Sequence, residues 1–128
     1  MFENSDAFSG MSSDDIEASR AFYQDVLGLV VRDEGMGGLI SVQLPKGGAV
    51  LIYPKDDHEP ATFTILNFPV ADIDAVVDEL VAKGVTMQRY DGMPQDEKGI
   101  MRGKVAGQGP DIAWFTDPAG NILSVLSD

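Results

Sequence analysis

The chain has 128 residues, 44% of them hydrophobic and 23% charged, with no cysteine. That length suits one domain with a single core, the composition is that of a folded globular protein, and disulfides, thiolate metal sites and a cysteine nucleophile are excluded. With 9 Lys and Arg against 21 Asp and Glu, the formal charge of −12 repels polyanions, so neither nucleic acid nor an anionic membrane is an expected partner.

The opening residues Met1 to Asp6 have neither the basic nor the apolar region of a secretory signal. No apolar run approaches the roughly 20 residues that span a bilayer, so a cytoplasmic location is expected. A strand near Ala7 to Met11 leads to a helix that starts at Asp14 or Asp15 and ends at Leu27, before Gly28. Its apolar stripe is Ile16, Ala18, Phe22, Tyr23, Val26 and Leu27. Three strands follow, Leu29 to Arg32, Leu39 to Leu44 and Ala49 to Tyr53, separated by the turn sequences Gly37-Gly38 and Lys46-Gly47-Gly48. The single histidine, His58, lies in the charged run Lys55 to Pro60 and reads as a solvated loop residue. Its neighbours Asp56, Asp57 and Glu59 are not expected to converge on a metal without a scaffold.

A strand over Thr62 to Phe68 precedes the best-marked element, a helix from Asp72 to Lys83 with Ile73, Val76, Val77, Leu80 and Val81 on one face. Asp72 is placed to cap its start and Gly84 to end it. Val85 to Tyr90 reads as another strand. The stretch Asp91 to Gly109 has glycines at 92, 99, 103, 107 and 109, and its part from Gly99 to Gly109 reads as a mobile strand and loop. It is a plain surface hairpin or a flap presenting Met93, Met101, Arg102 or Lys104 to a ligand, and it lacks the spacing of a phosphate-binding loop. Strands over Ile112 to Thr116 and Ile122 to Leu126 close the chain, joined by the turn Asp117-Pro118-Ala119-Gly120-Asn121. No nucleophile elbow accompanies the lone histidine, so a hydrolytic triad is not expected.

Asp15-Ile16-Glu17-Ala18 is echoed by Asp72-Ile73-Asp74-Ala75, and each helix then runs to a glycine and a strand. The chain thus reads as one domain over residues 1–128 made of two βαβββ repeats, about 5–56 and 60–128.

The run from Asp15 through Ser19, Phe22-Tyr23 and Leu27-Gly28-Leu29, together with the Asp117-Pro118-Ala119-Gly120-Asn121 hairpin, resembles the vicinal oxygen chelate (VOC) superfamily of glyoxalases, bleomycin resistance proteins and extradiol dioxygenases. The resemblance implies an α+β fold of two βαβββ modules whose curled mixed sheets enclose a cavity, usually in a homodimer. It also implies metal ligands on the opening strand of each module and a glutamate on the closing strand. Here those positions fall at or beside Phe8, at or beside Ile65, and at Ser124, none a strong ligand. No bound metal or other cofactor is therefore expected.

Ligand pockets are mostly apolar with a few polar directors. Phe8, Tyr53, Phe63, Tyr90, Met101 and Trp114 are accordingly the candidate ligand-binding residues, and Phe115 is a further strand aromatic. No catalytic residue is assigned. The reading that results is a metal-free binder of a small hydrophobic or aromatic molecule, of the drug-sequestering kind. Its alternative is a diverged glyoxalase-type lyase or dioxygenase that uses a divalent metal.

Overall fold

The computed structural model describes residues 1–128, the side chain of Met36 apart. The chain forms two compact units, Met1–Glu59 and Pro60–Asp128.

In the first unit Asp15 caps helix α1 (Ile16–Ala21) by accepting from the Ala18 backbone N–H at 3.0 Å. The helix then widens into one π turn over Phe22–Val26, in which the Leu27 N–H reaches back to the Phe22 carbonyl at 3.0 Å. A wide turn narrows the angle between successive side chains, and the adjacent Phe22 and Tyr23 are both buried, their rings edge to face at 5.3 Å. Strands β1 (Ser9–Ser13), β2 (Val31–Asp33), β3 (Ile40–Leu44) and β4 (Gly48–Pro54) form a sheet in the order β1-β4-β3-β2. Strand β1 is parallel to β4 and the other pairs are antiparallel. Helix α1 packs against β4. Met11, Ile40, Val42, Val50 and Ile52 are buried, and alternation along the strands puts their neighbours on the opposite, helix-free face.

The second unit repeats the plan. Asp72 caps helix α2 (Ile73–Ala82) by accepting from the Ala75 N–H at 3.1 Å. Strands β5 (Thr64–Pro69), β6 (Met101–Arg102), β7 (Asp111–Thr116) and β8 (Ile122–Ser127) form a sheet in the order β5-β8-β7-β6, with β5 parallel to β8. Helix α2 lies on β7 and β8 and buries Ile73, Val77 and Leu80, while Ala113, Phe115, Leu123 and Val125 are buried on the same side of those strands and Trp114 is buried on the other. Val81 is excluded from this core and is 54% exposed. At the β7–β8 turn the buried Asp117 carboxylate accepts from the Ala119 and Asn121 backbone N–H groups at 2.9 and 3.0 Å, and Gly120 takes the positive φ of 82° that the turn needs.

Two expectations for this unit are corrected. Val85 to Tyr90 is not a strand: the Gln95 side chain engages two of its backbone groups, with Oε1 accepting from the Tyr90 N–H and Nε2 donating to the Gln88 carbonyl as well as to that of Gly99. The Gln88 N–H still donates to the Trp114 carbonyl of β7 at 2.8 Å, and the strand paired with the other end of β7 is Met101–Arg102, within the glycine-rich stretch. That stretch also contains a short helix, α3 (Gly103–Ala106), where a Cβ on residue 103 would collide with the carbonyls of Gly109 and Pro110. Among the described residues no helix is long and apolar enough to cross a membrane.

Candidate functional site

In the second unit the helix-free face is centred on one row of strand partners, Asn67, Ser124 and Trp114. A register shift between Thr64 and Leu66 brings Thr64 to this face as well, opposite Ile122. The indole Nε1 of Trp114 donates to Thr64 Oγ1 at 3.2 Å, and the hydroxyl of the fully buried Ser124 donates to Asn67 Oδ1 at 2.5 Å. Asn67 itself is exposed, leaving its amide N–H donors at the surface of this face. Tyr90 stands edge to face on Trp114 with ring centroids 5.7 Å apart, and burial pushes the titration of its phenol upward. Met101 continues the same face one row along, through its partner Ile112.

In the first unit the equivalent row is Gly10, Leu51 and Ser41, without an aromatic ring or an amide. The next row pairs Ser12 with Tyr53, which is 40% exposed. His58 is not a solvated loop residue: it is half-buried, and its Nδ1 lies 2.6 Å from Ser12 Oγ.

Of the six residues expected to bind ligand, Tyr90, Met101 and Trp114 come together on one sheet face, and Tyr53 takes the corresponding face of the other unit. Phe8 and Phe63 each stand just before the first residue of a strand, 71% and 68% exposed. Thr64, Asn67 and Ser12 escaped the sequence reading, and the sequence alone reads His58 as a solvated loop residue. For Asn67 the signal was available, since it is an amide set between the apolar Leu66 and Phe68.

The donor set does not suit the divalent ion that the fold implies. Phe8 and Ile65 have no donor, and the Ser124 hydroxyl is committed to an amide. Among the described residues no three His, Asp or Glu side chains gather closely enough to hold a metal ion.

Elsewhere in the second unit charge serves to fasten the chain. The Arg102 guanidinium holds Asp74 of α2 by two bonds of 2.8 and 2.9 Å and Asp96 by one of 2.9 Å. Lys98 bridges Asp74 and Asp78. Arg102 holds the Asp74 carboxyl well below the usual carboxylate range, with Lys98 assisting. Burial works against the charged form of Asp96, but the Ile100 N–H and Arg102 outweigh it and lower its titration too. The glycine-rich stretch is thus tied to α2. A groove of about 490 Å³ between α2 and the following segment is lined by Val77, Val81, Val85 and Met87 together with the charged Asp78, Arg89, Glu97 and Lys98.

A mixed four-stranded sheet under one capped helix, made twice, defines a duplicated βαβββ protein. The family model described as Glyoxalase/Bleomycin resistance protein/Dioxygenase superfamily matches residues 9–125, and the chain belongs to that superfamily. Among solved structures it is similar to the fosfomycin resistance protein FosX of Listeria monocytogenes, with TM-score 0.68, 14% identity, and 95% and 91% of the two chains covered. It is also similar to a lactoylglutathione lyase of Agrobacterium tumefaciens, with TM-score 0.65, 20% identity, and 97% and 93% covered. A third similar structure is the antibiotic binding protein TnmS3 of a Streptomyces species, with TM-score 0.62, 21% identity, and 94% and 92% covered. At these identities the likeness is one of fold. Comparison with curated protein sequences gives no match.

Proposed function

We propose that this protein binds a small, partly aromatic molecule without a metal, in the manner of the drug-sequestering members of its superfamily, as a cytoplasmic homodimer. The observation that carries the reading is the row Asn67-Ser124-Trp114. Where the resemblance calls for a closing carboxylate, a buried serine hydroxyl instead fixes an asparagine amide beside an indole. The amide N–H groups supply polar direction, and the apolar face around them supplies contact area. Antibiotic binding by a protein of the same fold, TnmS3, is consistent with this use.

Trp114 is the only tryptophan, so its fluorescence reports on the site. Chelator-treated protein titrated with a panel of aromatic antibiotics is expected to show saturable quenching by at least one of them, weakened about tenfold by Asn67→Ala, the loss of roughly one well-placed hydrogen bond. Stoichiometric divalent metal in the untreated protein, with ligand response only when it is restored, would overturn the reading in favour of a metal-dependent lyase or dioxygenase.

A further inference from the structure

Ser12 lies on β1 between the buried Met11 and Ser13, so strand alternation turns its hydroxyl to the helix-free face. The segment that follows β4 then returns to it. The Lys55 N–H donates to the Ser13 carbonyl at 2.9 Å, and the His58 N–H donates to the Lys55 carbonyl at 3.0 Å. These two backbone bonds carry the imidazole back to β1, where Nδ1 and Ser12 Oγ meet at 2.6 Å. Both partners are half-buried rather than sealed, and Tyr53 stands opposite Ser12 across the parallel pair. With the ring proton on Nε2, the bond runs from the hydroxyl to Nδ1, the direction that proton removal requires.

We propose that Ser12 and His58 are a nucleophile and base pair that makes this protein reactive toward activated carboxylic and phosphonic esters, an activity separate from the ligand reading above. Ser12 Oγ forms a bond to the carbonyl carbon while its proton passes to His58 Nδ1. The tetrahedral adduct then breaks its bond to the leaving alcohol, which takes that proton and leaves acyl-Ser12. A water molecule, deprotonated by His58 in the same way, releases the acid and restores the hydroxyl. With a fluorophosphonate the oxygen–phosphorus bond forms as fluoride departs, and the adduct persists.

The test treats the full-length protein with a fluorophosphonate and, separately, with p-nitrophenyl acetate, and reads intact mass, the modified residue and nitrophenol release. One phosphonyl group per chain on Ser12 is expected, with none on that position in Ser12→Ala. His58→Gln, which retains a side-chain hydrogen-bonding group and loses the base, is expected to label at least tenfold more slowly. Circular dichroism establishes that each variant folds, and if Ser12→Ala does not, His58→Gln decides alone. An unlabelled wild-type protein, a label on another residue, or His58→Gln labelling at the wild-type rate would each overturn the proposal.

Discussion

The two units are built on one plan and finished differently. Both open with an aspartate-capped helix and a four-stranded sheet whose first and last strands run parallel. Beneath α2 the core holds one aromatic ring, Phe115, among aliphatic side chains, whereas the first unit folds Phe22 and Tyr23 inward through a π turn. On the helix-free faces the second unit carries an indole, an amide and two hydroxyls in contact, and the first carries a Ser–His pair. The comparison separates what the fold requires, the caps and buried aliphatic rows, from what each copy is free to vary.

That separation can be tested by substitution. Phe115→Ala empties the core under α2 and is expected to cost about 3–5 kcal/mol, measured by urea unfolding, against about 2–4 kcal/mol for Ile52→Ala in the first unit. The reverse ranking would show that the single aromatic is not the dominant core contact. Gly103→Ala introduces a Cβ against two carbonyl oxygens and is expected to cost roughly 1–3 kcal/mol. The first unit has no α3 and offers no counterpart.

The caps sharpen the likeness. Asp15→Ala and Asp72→Ala are each expected to cost about 1 kcal/mol. Losses differing by more than that amount would mean that the shared geometry hides different tertiary support.

The smallest effect concerns acid. Asp74 and Asp96 titrate below their unfolded values in the folded protein, so their contribution to stability is present above about pH 4 and is withdrawn as pH falls through their lowered folded values. Arg102→Met is expected to flatten the slope of stability against pH below about 4, in urea titrations across that range. An unchanged slope would show that the Arg102 cluster is screened to insignificance, as exposed ion pairs often are.

The fold was legible because its signals are local. Asp72 before a 3.6-residue apolar period, and Asp117-Pro118-Ala119-Gly120-Asn121 between two apolar runs, each specify geometry within a few residues. The segment Val85 to Tyr90 misled because its composition suits a strand, and its Gln88 N–H does reach β7, but its Gln88 carbonyl and Tyr90 N–H are claimed by Gln95, a partner that periodicity cannot reveal. His58 misled for a related reason. Its local sequence is that of a loop, and only the parallel pairing of β1 with β4 brings that loop to a serine 46 positions away. The apolar character of ligand pockets pointed to Tyr90, Met101 and Trp114, but the bulge at residues 64–66 moved Thr64 into contact with the indole, and no residue pattern announced the bulge.

The strand order of the second unit has a consequence for the order of events during synthesis. Strand β8, formed by Ile122–Ser127, lies between β5 and β7, and it is the strand with which β5 pairs. Until Ile122–Ser127 have left the ribosome, the backbone of β5 lacks its strand partner, whereas the first unit can pair all four of its strands once Pro54 has emerged. A nascent chain therefore holds a finished first sheet while the second is still open, and a chain cut just before Ile122 would lack the middle of that sheet rather than its edge.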